Sequence, residues 1–201
     1  MQHLFSVWTE VARRLKAARR ILLLSDYDGT LTPIVNRPEL ADLPPSIRQL
    51  LLALARNRRF TIGIISGRAL SDLKRKVDIA GIIYAGNHGL EIEGPGFSIV
   101  NPVAEELRPV FRMMHQVLSR ALAAVRGALV EDKGLTLSVH YRMVEEGKSA
   151  EVKNIFERVV GTARSLGKVK TTSGKKVYEV RPAVDWDKGR AIALLLHRYG
   201  R

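Results

Sequence analysis

The string Ser25-Asp26-Tyr27-Asp28-Gly29-Thr30-Leu31-Thr32 follows directly on an apolar run, Ile21 to Leu24. Side chains two residues apart in extended backbone point the same way, so Asp26 and Asp28 would present two carboxylates together where a strand opens into a cleft. Such a pair can divide its labour, one acid attacking while the other moves protons. Phosphoryl transfer uses that division, because it needs an in-line nucleophile, cationic relief of the phosphoryl oxygens and an acid for the leaving alcohol. Gly29 permits a tight turn and Thr30 offers a hydroxyl. Taken alone, Asp-x-Asp reads equally well as a solvated turn or a capped helix entry. The next apolar run, Phe60 to Ile65, ends in Ser66-Gly67-Arg68, where a hydroxyl sits at a strand end and glycine allows close approach, or where the chain simply turns into a helix. Lys188, in Asp185-Trp186-Asp187-Lys188-Gly189-Arg190-Ala191, would place an ammonium at a helix start.

The elements that must position these groups follow from periodicity. Leu4, Val7, Trp8, Val11 and Leu15 fall at helical spacing, and Ile21 to Leu24 then reads as a strand buried on both faces. Pro44, Pro45 and Ser46 introduce a helix carrying Ile47, Leu50, Leu51 and Leu54, with Ser46 as the expected cap. Strand Phe60 to Ile65, a short helix Ser71 to Lys76 and strand Gly81 to Ala85 continue an alternation that predicts a doubly wound parallel α/β sheet, its ligand beyond the strands' C-terminal ends. From about Asn101 the pattern changes. Val110, Phe111, Met114, Leu118, Leu122 and Val125 make a long amphipathic helix that Pro109 should start or kink, and strands follow at Ala128 to Glu131 and Leu135 to Arg142. A helix carrying Val152, Ile155, Phe156, Val159 and Leu166 and strands Lys168 to Thr171 and Lys176 to Arg181 complete an αββαββ unit. The expected organisation is a core of residues 1–100 and 183–201 interrupted by an inserted domain, 101–182.

The 201 residues have room for one good-sized core or two small ones, since domains commonly run to roughly 100 to 150 residues. No cysteine is present, so disulfides, thiolate metal sites and cysteine nucleophiles are excluded. The longest apolar runs are too short to cross a bilayer and the basic segment before Arg20 is unlike a signal peptide, so a cytoplasmic protein with no membrane partner is expected. A net charge of +13 attracts phosphate, but the basic residues are not interleaved with aromatics, which make up only 6% of the chain, and this argues against specific nucleic-acid binding. A phosphorylated small molecule suits the same charge.

The run Leu23 to Thr32 resembles the first motif of the haloacid dehalogenase-type phosphatases, Ser66-Gly67-Arg68 the second and Lys188 the third. Further strings, Ala85-Gly86-Asn87-His88-Gly89-Leu90-Glu91, Glu131-Asp132-Lys133, Val139-His140-Tyr141-Arg142 and Tyr178-Glu179-Val180-Arg181-Pro182, narrow the resemblance to the trehalose-6-phosphate phosphatases over about Leu22 to Leu195. The resemblance implies that Asp26 becomes phosphorylated, that Asp28 protonates the departing sugar oxygen and then activates water, and that Thr30, Ser66, Gly67 and Lys188 hold the phosphoryl group. It implies a mobile cap from which Glu131, Lys133, Glu179, His140 and Arg142 meet the sugar of trehalose 6-phosphate, with Arg68, Asn87 and His88 on the core side. It also implies Mg²⁺ on Asp26 and Asp28.

Members of that family carry a fourth motif, an aspartate cluster after the strand that follows the lysine-bearing helix. From Lys188 to Arg201 there is no Asp or Glu. Asp26 and the Asp28 carbonyl would be a poor Mg²⁺ site by themselves, and without the strand the first strand becomes a sheet edge. The sequence alone therefore leaves two readings: an active phosphatase for trehalose 6-phosphate or a related ester such as sucrose phosphate, or an impaired phosphosugar-binding remnant.

Overall fold

The structure, a computed structural model, describes residues 3–35 and 37–199. It holds two sheets. The first has the order β1 (Ile21–Asp26), β2 (Phe60–Ile65), β3 (Ile83–Gly86), β4 (Glu91–Gly94), β5 (Phe97–Val100), with β1, β2 and β3 parallel and the last two antiparallel. The pleat sorts its side chains. Ile62, Ile64, Ile82 and Tyr84 pack with α2 (Pro45–Arg56) and α3 (Leu70–Val77) on one face, while Leu22, Leu24, Ile65, Ile83 and Ala85 meet Ala191 and Leu195 of the last helix, Lys188–Tyr199, on the other. Helices on both faces of a parallel sheet match the expected architecture. The register sets Asp26 beside Ile65 and Ile65 beside Ala85, so the three strands end level and their following turns share one rim.

Three details differ from the sequence reading. β1 is a sheet edge, as expected, but Leu23 is 38% exposed, so its apolar run is covered on one face rather than two. The β4–β5 hairpin was not anticipated, although Glu91 to Val100 alternates around Pro95-Gly96 and Gly96 takes the positive φ such a turn needs. Helix α2 starts at Pro45, where a missing N–H costs nothing, so Ser46 lies inside its first turn and caps nothing.

The second sheet, β6 (Leu129–Asp132), β7 (Leu137–His140), β9 (Val177–Pro182), β8 (Val169–Gly174), is antiparallel throughout. α4 (Pro102–Glu106) breaks at Leu107, and Pro109 falls in the first turn of α5 (Arg108–Leu122), so the proline starts a helix rather than kinking one. Phe111, Met114, Leu118 and Leu122 of α5, with Val152, Ile155, Phe156 and Val160 of α6 (Ser149–Ser165), cover Leu137, Val139, Val169 and Val180. Leu166 lies beyond that face, 65% exposed. The opposite face of this sheet is polar: Glu131, Ser138 and Glu179 stand side by side across three strands. No helix among the described residues is long and apolar enough to cross a membrane.

Gly89 fixes how the last helix, numbered α7 with α1 at Trp8–Ala17, approaches the rim. Its φ is +87°, an added Cβ would lie 2.3 Å from the Ala191 Cβ, and its carbonyl accepts from the Trp186 indole N–H at 2.7 Å. Gly89→Ala should therefore cost about 2–4 kcal/mol of unfolding free energy, from a left-handed backbone and a steric overlap together. Denaturant midpoints measure this; a change of less than about 0.5 kcal/mol would show that the contact relaxes freely.

Candidate active site

The β1 pleat that turns Leu22 and Leu24 toward α7 turns Asp26 the same way. Asp187 accepts from the Arg190 N–H and fixes the first turn of α7. Lys188 thereby reaches Asp26, its Nζ 2.6 Å from Oδ2, while Oδ1 accepts from the Tyr27 N–H at 2.8 Å. Tyr27 itself is fully buried, with its hydroxyl donating to the Ala41 carbonyl at 2.8 Å, and burial pushes the phenol up to about 12 despite the nearby Arg68.

Asp28 sits beyond the strand in a loop that Gly29, at φ +79°, closes through its N–H to the Thr32 carbonyl. Arg68 grips it: Nη2 is 2.7 Å from Oδ1 and Nε 3.0 Å from Oδ2, with the Ser66 hydroxyl 3.4 Å from Oδ2. Both carboxylates are 44% exposed, open to a water-borne ligand. Thr30 is exposed in the same loop. An added Cβ at Gly67 would come within 2.7 Å of the His88 ring, so glycine is what lets that ring lie against the turn.

The second sheet's polar face closes over this rim. His88, at φ +60°, lies with Nε2 3.0 Å from Glu179 Oε1, and Lys133 Nζ is 3.5 Å from the same oxygen and 3.9 Å from Glu131. His140 Nε2 lies 2.8 Å from Glu131 Oε2. Burial acts to raise both acids, but the His88 bond and the Lys133 charge outweigh it and bring Glu179 down to about 2, and His140 with Lys133 likewise holds Glu131 below its ordinary value. A cavity of about 610 Å³ lies between the sheets, lined by Asp28, Gly67, Arg68, His88, Glu131, Lys133, His140, Arg142 and Glu179, and Asp26 is not among its lining residues.

Two predicted residues spend donors on the fold itself. Asn87 is fully buried; its amide donates to Glu91 at 2.7 Å and to the Lys133 carbonyl at 2.9 Å, and its oxygen accepts from the Thr136 hydroxyl at 2.6 Å. Arg142 lines the cavity while donating to the Val35 and Lys175 carbonyls, both at 3.3 Å. The sequence reading passed over Ser138, Asp72 and Tyr27. Ser138 was legible as the polar step between Leu137 and Val139, and Asp72 as the residue four after Arg68.

Mg²⁺ asks for six oxygens near an octahedron. Among the described residues no group of three or more His, Asp or Glu side chains converges to hold a metal. Both oxygens of Asp26 already have partners and Asp28 faces Arg68. These residues do not by themselves complete a magnesium shell.

The layout, an acidic strand end on a parallel sheet with a second sheet facing it, is similar in fold to a solved haloacid dehalogenase-like hydrolase. A structure of that description from Bacteroides thetaiotaomicron matches with TM-score 0.58 over 90% of this chain and 77% of its own, at 16% identity, a likeness of fold. The profile of the trehalose-phosphatase family matches residues 24–201, and the chain belongs to that family. Probable trehalose-phosphate phosphatase 3 of Oryza sativa subsp. japonica is 33% identical over 208 residues, 96% of this chain and 56% of its own length. The crystal structure of a trehalose-6-phosphate phosphatase related protein superposes with TM-score 0.78 at 25% identity, over 88% of this chain and 74% of that one. The chain spans about half the length of the curated relatives it matches.

Proposed function

We propose that the protein hydrolyses trehalose 6-phosphate to trehalose and phosphate through a phosphorylated Asp26. The observation that carries this reading is the Lys188–Asp26 pair at 2.6 Å beside an Asp28 that opens into a cavity lined by charged groups of both sheets. In this reading an Asp26 oxygen bonds phosphorus as the bond to the sugar oxygen breaks, and Asp28 gives that oxygen its proton. Water then bonds phosphorus, its proton passes to Asp28, and Asp26 is released. Lys188, Ser66 and Thr30 offset charge on the phosphoryl oxygens. Residues 101–182 serve as the cap, and Glu131, Lys133, Glu179, His88 and His140 meet the sugar hydroxyls. Asp26 and the Asp28 carbonyl are the donors this reading gives to Mg²⁺, which would offset charge on the phosphoryl oxygens.

The purified chain should release phosphate from trehalose 6-phosphate at least about tenfold faster than from sucrose 6-phosphate or glucose 6-phosphate, because a site of buried hydroxyl partners penalises a mismatched sugar. The incomplete acidic set favours a second reading, a phosphosugar-binding remnant. Tight binding of trehalose 6-phosphate without turnover at high Mg²⁺ would establish the remnant and end the first reading.

A further inference from the structure

Arg68 lines the cavity, yet it is only 5% exposed and most of its donors are already committed. Nε and one Nη2 hydrogen go to Asp28, the other Nη2 hydrogen to the Pro38 carbonyl at 2.7 Å, and Nη1 to Asp72 at 2.8 Å. The guanidinium lies 5.2 Å from the centroid of the Tyr27 ring, a platform anchored at its far end by the Ala41 carbonyl. Four of the five N–H groups of an arginine are thus spent inside the protein, which leaves little for a sugar.

Seen from Asp28 the dependence is greater. Both its oxygens rest on Arg68, and its other side-chain contact is the Ser66 hydroxyl at 3.4 Å. A two-pronged guanidinium contact fixes the plane of a carboxylate as well as its distance, which one ammonium or one hydroxyl does not. Asp72, Pro38 and Tyr27 hold Arg68 from three sides, so the aim of Asp28 is inherited from a largely buried arginine and its buried or part-buried supports rather than set in its exposed loop. From this geometry we infer that Arg68 is a positioning residue: it acts through Asp28, aiming the carboxyl at the departing oxygen, and is not a sugar ligand. The inference rests on the phosphatase reading above.

The leaving group separates this role from its alternatives. A sugar oxygen needs a proton as its bond to phosphorus breaks, whereas p-nitrophenolate leaves as a stable anion and needs none. In single turnovers, which read phosphorylation of Asp26 apart from the later water step common to both esters, Arg68→Gln in the full chain should lower the rate with trehalose 6-phosphate about 30- to 100-fold with the half-saturating concentration changed less than about threefold, and the rate with p-nitrophenyl phosphate less than about fivefold. Arg68→Lys should behave alike, since a point charge cannot replace the fork. Added to Asp28→Asn, Arg68→Gln should cost less than about threefold more, because the two substitutions remove one function. Asp72→Asn, which keeps the Arg68–Asp28 pair and loosens its support, should show a weaker loss of the same pattern and guards against a misfolded Arg68 variant. A tenfold rise in the half-saturating concentration with the rate preserved would make Arg68 a sugar ligand and overturn the inference, as would equal losses of the phosphorylation rate on the two esters. If the unsubstituted chain hydrolyses neither ester, the phosphatase reading itself fails and takes this role with it.

Discussion

Asp26→Asn should abolish phosphate release from trehalose 6-phosphate, a fall of at least about 10³-fold, while the fold stays intact. The amide matches the carboxylate in size, and its oxygen can still accept from the Tyr27 N–H, so the end of β1 keeps its place. What disappears is the nucleophilic oxygen, together with the charge that Lys188 faces at 2.6 Å. Acid-quenched unsubstituted protein should carry a hydroxylamine-sensitive phosphoryl group on the peptide containing Asp26, and the variant should carry none. Full turnover by Asp26→Asn would rule out an aspartyl-phosphate route.

Acid should weaken the protein through Glu179 in a defined window. Its carboxyl titrates near 2 in the folded chain against an ordinary 4.5, because contact with His88 and Lys133 outweighs the penalty of burial. A depressed acid contributes its full stability above about pH 4.5; the contribution shrinks as pH falls and is gone below about pH 2. Over that range the expected loss is about 3 kcal/mol. Denaturant unfolding of the parent and of Glu179→Gln at intervals from pH 5 to pH 2 isolates it, since every other carboxylate is common to both. The two stability curves should converge as pH falls; parallel curves would mean that the cluster does not hold Glu179 ionised.

Much of this was legible in the sequence where one element decides the outcome. Phe60 to Ile65 is a strand at those very residues, and the helix stripes Phe111-Met114-Leu118-Leu122 and Val152-Ile155-Phe156 cover the second sheet as their spacing predicts. The local motifs were readable too, since register alone carries Asp26, Ser66 and Asn87 to one rim. What could not be read was partnership across long separations. Nothing near Asn87 says that its amide also meets the Lys133 carbonyl, and nothing near Arg68 says that Asp28 closes on it from another strand end. The hairpin Glu91 to Val100 was missed because its Gly-Pro-Gly centre reads as a loop unless the short alternation on either side is weighed with it.

The contacts joining the two sheets near the cavity are unequal, and this gives the cleft a front and a back. On one side Asn87, itself fully buried, ties the rim to Thr136 through a buried bond and to Lys133 through a part-buried one; on the other, Arg142 reaches Val35 through an exposed contact at 3.3 Å. Thermal opening starts where bonds are few and wetted, so solutes should come and go on the Val35 side while the Asn87 side serves as the pivot. Amide protons around Asn87 and Thr136 should then be among the last near the cleft to exchange with deuterium, and those of residues 33–35 and 172–176 among the first.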